Sequence, residues 1–271
     1  MFITIITDCF SENDKARQAT RFAGLFGITP TIVGVDAGLG LNATLEASGN
    51  LVDTFDAAGN GPGIIVVNVA PRGDKKDGTN GTHFSYFYYK NILVISTIKG
   101  FCLSLVKKFK LAKTIKILDT VDVLEFAEKQ KLITKELKEY IVNSQFRSFD
   151  FVPRVAKWLT DNVSLPHSRQ SLSTINEPPS AIWFVDSFGN CKTTLLASDL
   201  PLKVAPLKVK TNIGTFNLYN RLKDLPFGAT AFYIGSSGID DKRFIEIATQ
   251  GIPGSAARTL KLKVGNEIKI E

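Results

Sequence analysis

The chain has 271 residues, of which 44% are hydrophobic and 22% charged, with a formal net charge of +7. That length favours two domains over a single core, and the balance excludes a largely disordered chain. No apolar run approaches the roughly 18–20 residues a membrane span needs, and Cys9, Cys102, Cys191 and two histidines form no cluster with metal-ligand spacing, so neither a membrane nor a metal partner is expected.

Met1 to Asp8 has no basic leader, and Phe2 to Thr7 reads as a first strand rather than a signal peptide. Three scattered cysteines fit a reducing, cytoplasmic setting better than a disulfide framework. Glu12 to Phe26 has helical spacing with Ser11 as N-cap. Thr31 to Val35 is a β-branched strand, followed by the loop Ala37-Gly38-Leu39-Gly40. Leu41 to Phe55 can form a helix, weakened by Gly49. Ile64 to Val69 is a continuous apolar strand of the doubly buried kind. This alternation argues for a mostly parallel sheet covered by helices.

After the polar loop Arg72 to Thr82, strands are expected at Phe84–Tyr89 and Ile92–Thr97 with a tight turn at Lys90-Asn91. A helix is expected over Gly100–Phe109, a strand over Thr114–Leu118 and a charged helical region over Glu125–Val142. The basic run Lys107, Lys108, Lys110, Lys113 and Lys116 lacks aromatic interleaving beyond Phe109 and RNA-binding signatures. It reads as a solvated helix face, and no nucleic-acid partner is expected.

Ser164 to Pro179, rich in Ser, Pro, Asn and Thr, is the best linker candidate. The expected division is an α/β nucleoside-binding domain over residues 1–168 and a smaller all-β barrel or sandwich over 169–271, closed by a strand within Thr259–Ile270.

Chemistry concentrates at three places. Asp8 follows the first strand, with Ser11, Asn13 and Asp14 close behind. Ligands of parallel α/β sheets bind at the carboxyl ends of the strands, where one carboxylate can accept both hydroxyl hydrogens of a ribose; the alternative is a helix cap. The apolar run Ala181–Val185 breaks into Asp186-Ser187-Phe188-Gly189-Asn190. That is either an ordinary hairpin turn or a stacking face beside hydrogen-bonding groups suited to a purine. Phe232-Tyr233-Ile234 runs into Gly235-Ser236-Ser237-Gly238, a small-residue turn able to offer backbone N–H groups and hydroxyls to an anion, or again a hairpin.

Taken in order, Thr7-Asp8, Asp186 to Thr194, the Gly-Ser-Ser-Gly segment, Ile245 to Ala257 and Leu262 to Ile268 resemble the S-adenosylmethionine hydroxide adenosyltransferase family, which includes the fluorinases and chlorinases that use S-adenosylmethionine (SAM). The resemblance spans nearly the whole chain and is most specific in its C-terminal part. It implies a homotrimer whose site lies between subunits, SAM as substrate and no cofactor. By this resemblance Asp8, with Asn13 nearby, holds the ribose; Phe188 stacks on adenine and Asn190 bonds its edge. Asp186, Ser236 and Ser237 bind the ends of methionine, and Ser148 stands where the halogenases keep a nucleophile-binding serine. The implied reaction is displacement at ribose C5′ by water or halide, with alignment and desolvation of the nucleophile as the protein's task.

The chain departs from the family where its hydrolases activate water. Ala70 stands at the Asp position and Arg147 at the His position, Lys75 and Lys76 are the nearest basic residues to the expected Arg, and Gly73 lines the same loop. An alanine cannot act as a base and an arginine does not shuttle protons at neutral pH. Three readings follow: an adenosyl-transferring enzyme with Ser148 and Arg147 as its catalytic candidates, a non-catalytic adenosine or SAM binder, and a trimeric interaction protein without a nucleoside.

Overall fold

Six β-prone residues at the start of the chain form β1 (Phe2–Thr7), with Ile3, Ile5 and Ile6 buried. The computed structural model describes residues 1–35, 41–71, 82–144, 146–200, 207–251 and 255–271. The chain divides into two units, Met1–Ala47 with Ala58–Asn176, and Ser48–Ala57 with Glu177–Glu271.

In the first unit, α1 (Glu12–Phe26) starts as expected: the Ser11 hydroxyl accepts the Asp14 N–H, and Gly27 ends the helix at φ 67°. There follow β2 (Thr31–Gly34), α2 (Asn42–Ala58), whose residues 48–57 belong to the second unit, β3 (Gly63–Asn68), β4 (Phe84–Tyr89) and β5 (Ile92–Thr97). Next come α3 (Ser104–Lys108), β6 (Thr114–Leu118), α4 (Thr120–Lys129), α5 (Lys135–Val142), α6 (Arg147–Thr160) and β7 (Ser168–Ser171). The strands order as β2-β1-β3-β5-β4-β6-β7. The pairs of β1 with β2, β1 with β3 and β3 with β5 are parallel, while β4 reverses between β5 and β6. Five of the seven strands therefore run one way, and only β4 and β7 run against them.

The core beneath the sheet joins Ile3, Ile5, Val66 and Ile95 to Phe151, Val152 and Val155 of α6. Burying each such side chain contributes roughly 1.5–3 kcal/mol. No helix among the described residues is long and apolar enough to cross a membrane.

Two expectations are corrected here. The stretch read as a linker contains β7, whose residues Ser168–Ser171 pair with β6. Nor is the lysine run one helix face: α3 ends at Lys108, Lys110 has φ 59°, and Lys116 lies on β6 with its ammonium 5.0 Å from the Tyr86 ring. Lys107 donates to the Ser173 and Ile175 carbonyls, tying down the segment after β7.

The second unit contains β8 (Ile182–Val185), β9 (Cys191–Leu196), β10 (Leu207–Thr211), β11 (Gly214–Tyr219), β12 (Thr230–Ile239), β13 (Lys242–Thr249) and α7 (Ser255–Thr259). These strands form a sheet in the order β10-β11-β12-β13-β9-β8. With α7 and the helical residues 48–57, the unit is not all-β. The Gly-Ser-Ser-Gly segment lies inside β12, where the pairing with β13 shifts register between Ile234 and Gly238, so it is a bulged strand and not a turn. The expected closing strand is also absent: Gly265 has φ 89°, and the following residues make isolated bridges, Ala181 with Glu267 and Thr211 with Ile270. Those bridges place the last residues beside both edge strands, which covers their unpaired backbone groups.

Gly49 has a packing role within this unit. A Cβ at that position would stand 2.1 Å from the Trp183 indole, which is 1% exposed. The missing side chain is what admits the ring.

Candidate functional site

The carboxyl ends of β1, β3 and β5 share one edge of the first sheet and carry Asp8, Asn68 and Thr97. Asp8 is 8% exposed, and its backbone N–H donates to the Asn68 carbonyl at 3.4 Å. The Asn68 carboxamide and the Cys9 backbone N–H both donate to the Thr7 hydroxyl, at 3.2 and 3.0 Å. This tie between β1 and β3 fixes the position from which the Asp8 carboxylate projects. Cys9 Sγ approaches that carboxylate at 3.6 Å. Thr97 donates to the Val69 carbonyl and contacts the Cys102 sulfur at 3.4 Å. Burial pushes the Cys102 thiol up to about 12 and the Asp8 charge adds to the rise, against the Thr97 hydrogen bond. Cys102 is therefore a neutral thiol at physiological pH and not a nucleophile.

Asn13 is exposed in the first turn of α1. Arg147 and Ser148 open α6, both partly buried. The Arg147 guanidinium donates to the Thr120 hydroxyl and the Thr82 carbonyl, each at 3.2 Å, so it links the start of α4 to the chain entering β4. Burial lowers its proton affinity and the Asp119 charge opposes that, yet an arginine so placed remains a cation. Ala70 follows β3 and is partly buried. Arg72, Gly73, Lys75 and Lys76 lie outside the described residues.

In the second unit, Asp186, Phe188 and Asn190 come together in the turn between β8 and β9. Asp186 Oδ1 accepts the backbone N–H groups of Phe188 and Asn190, each at 2.9 Å. Its Oδ2 accepts the Asn190 carboxamide at 2.9 Å. Gly189 takes φ 78°, a conformation a side chain would strain. The result is a rigid loop with the Phe188 ring 64% exposed at its tip. Burial, reinforced by the Asp186 charge, pushes the neighbouring Cys191 thiol up to about 12.

Ser236 and Ser237 are consecutive on β12 and face opposite ways, Ser236 exposed and Ser237 buried. The Ser237 hydroxyl donates to Asp53 Oδ2 at 2.8 Å and accepts from the Lys192 ammonium. Lys192 also pairs with Asp53 at 3.0 Å, and the Gly238 N–H donates to Asp53 Oδ1 at 3.2 Å. Asp53 thus anchors residues 48–57 of α2 to the β12 bulge and to β9.

Beside this cluster Tyr233, Glu246 and Lys192 face one another across three adjacent strands. Tyr233 donates to Glu246 Oε2, while Glu246 Oε1 is buried without a hydrogen-bond partner among the described residues. Burial raises the Glu246 proton affinity most strongly, against the Tyr233 hydrogen bond and the Lys192 charge. Gly235 leaves room for this carboxyl, since a Cβ there would stand 2.1 Å from Oε1.

Asp53, Lys192, Tyr233 and Glu246 escaped the sequence reading. Glu246 alone carried a signal, a charge in the apolar strand Phe244-Ile245-Glu246-Ile247-Ala248. The partners of Asp53 lie 139 and 184 residues away, beyond any spacing rule.

No family profile and no curated relative matches the chain. Among solved structures, the chain is similar to an uncharacterized conserved protein from Thermotoga maritima, with a TM-score of 0.67, 19% identity and complete coverage of both chains. A conserved hypothetical protein from Thermus thermophilus is similar with a TM-score of 0.62 and 15% identity, over 100% of this chain and 99% of that one. At these identities the likeness concerns the fold.

Proposed function

We propose that the chain binds S-adenosylmethionine, or another 5′-activated adenosine, and transfers its adenosyl group to water or halide. The observation that carries this reading is Asp8, buried at the carboxyl edge of the parallel strands and set by the β1–β3 hydrogen bonds. A carboxylate there suits the two hydroxyls of a ribose. The rigid Asp186–Asn190 turn supports it, because it holds the Phe188 ring outward for stacking on adenine and leaves the Asn190 carboxamide oxygen for the adenine amino group. Asp186, Ser236 and Ser237 are assigned to methionine by resemblance; of these Ser236 is exposed, while Asp186 serves its own turn and Ser237 the Asp53–Lys192 cluster. In this reading the active species is a homotrimer, with the two sets of groups contributed by different copies.

In the hydrolytic form, water oxygen bonds to C5′ as the C5′–sulfur bond breaks. The electron pair stays on sulfur, giving methionine and adenosine, and the water proton leaves to solvent. Ser148 would orient the nucleophile and Arg147 would bring positive charge near it.

A second reading, a nucleoside binder without chemistry, is favoured by Ala70 at the expected base and by the engagement of Arg147 with Thr120 and Thr82. Incubation with SAM, followed by chromatography, separates the two. Adenosine or 5′-halo-adenosine with equimolar methionine supports transfer. Intact SAM that binds by calorimetry supports the second reading, and absence of binding overturns both.

A further inference from the structure

The first unit has a second chemically distinctive feature, a cleft of about 570 Å³ between α1 and α6, lined among others by Arg17, Thr20, Arg21, Phe149 and Arg154. Arg17 and Arg21 are one turn apart on α1 and share a face. Asp150, with a side chain 3% exposed, accepts from Arg21 at 2.6 Å, and the same oxygen lies 3.7 Å from Arg154. Arg154 also donates to the Asp150 carbonyl at 2.7 Å. One carboxylate therefore serves two guanidinium groups.

Arg17 lies 4.6 Å from the centroid of the Phe149 ring, on which Phe146 also stacks, and no carboxylate pairs with it among the described residues. Three cations against one anion leave two positive charges in a partly enclosed space. The crowding is felt within the cleft, since burial and then the Arg21 charge lower the proton affinity of Arg154. Such a site attracts a dianion with several acceptor oxygens, which arginine forks recognise. The volume exceeds a bare phosphate and falls in the range of roughly 300–1,000 Å³ typical of small-molecule sites.

We infer that this cleft binds the phosphate group of a small phosphorylated metabolite, with Arg17, Arg21 and Arg154 around the phosphate and Thr20 adding a hydroxyl. The phosphate dianion offsets the two surplus charges, and the remaining volume takes the organic part. None of these residues belongs to the proposed nucleoside site, so the two ideas stand or fall separately.

The test is calorimetric titration of the full-length protein at low salt with inorganic phosphate, glycerol 3-phosphate and ribose 5-phosphate, with glycerol and ribose as neutral controls. The expected result is saturable binding of phosphorylated probes only, weakened about tenfold by Arg17→Gln. Lys15→Gln, which removes the same charge from α1 outside the cleft, should leave it unchanged. Tighter binding of the esters than of inorganic phosphate supports the proposal, and equal affinity overturns the organic-phosphate assignment in favour of free phosphate. Arg17→Gln keeps every hydrogen bond of Asp150, and its thermal midpoint should match that of the parent protein. No saturable binding, or equal weakening by the Arg17 and Lys15 substitutions, overturns the proposal.

Discussion

Asp186 and Asn190 are joined three times: the Asn190 backbone N–H donates to Oδ1 and its carboxamide to Oδ2, both at 2.9 Å, and the Asp186 N–H donates to the Asn190 carbonyl at 3.0 Å. This pair holds the turn that carries Phe188. Replacing Asp186 with Ala strips acceptors from three donors and is expected to cost about 1–2 kcal/mol. Urea denaturation should show that loss, while Phe188→Ala, at an exposed tip, should change stability by less than about 0.5 kcal/mol. Equal losses from the two would contradict the role given to Asp186.

Gly49→Ala sets two effects against each other. Alanine is the better helix former by about 1 kcal/mol, but its methyl group would meet the buried Trp183 ring at 2.1 Å. Overpacking of this kind costs typically 1–3 kcal/mol. The clash with a fully buried indole should win, so the variant is expected to melt lower than the parent. A rise in melting temperature would show that α2 does not pack as described.

Glu246 gives a pH dependence with a definite sign. Its proton affinity is raised by burial above the ordinary value of 4.5, so the folded state holds the proton where the unfolded chain has lost it. Its stabilisation is complete below that ordinary value and is lost as pH rises through the folded-state value. Glu246→Gln keeps an acceptor for Tyr233 and cannot ionise. The stability of the variant relative to the parent should therefore increase with pH above about 4.5, as read by denaturation at a series of pH values. A pH-independent difference would contradict the raised affinity.

Asp53→Ala removes the acceptor shared by Lys192, Ser237 and the Gly238 N–H. Leaving a partly buried ammonium without its carboxylate is expected to cost about 2–3 kcal/mol. Asp53→Asn, which keeps two acceptor lone pairs, should recover part of that loss in the same denaturation assay.

Local order was legible wherever one physical signal dominated. An uninterrupted apolar run marked β3, β-prone residues marked β1 and β5, and the Ser11 cap marked the start of α1. The carboxyl-edge position of Asp8 followed from those strands. What was lost were cases in which tertiary packing overrode a local rule. No helix was expected over Arg147–Thr160, yet α6 forms there and runs through Pro153, with Phe151, Val152 and Val155 buried in the core. The four small residues at 235–238 read as a turn, but the bulge of β12 needs their compactness beside Glu246 and β13. Gly49 read as a weakness in α2, although the Trp183 ring requires it. The Asp53–Lys192–Ser237 cluster joins segments far apart in sequence, so no periodicity could reveal it.

The central claim, that Asp8 holds the ribose of an adenosyl ligand, is tested most directly by calorimetric titration of SAM and adenosine into the parent protein and Asp8→Ala. Two charge-assisted hydrogen bonds to a diol are worth about 2–3 kcal/mol together, so affinity should fall about 30- to 150-fold. The thermal midpoint should stay close to that of the parent. Unchanged affinity in a folded Asp8→Ala protein would contradict the account.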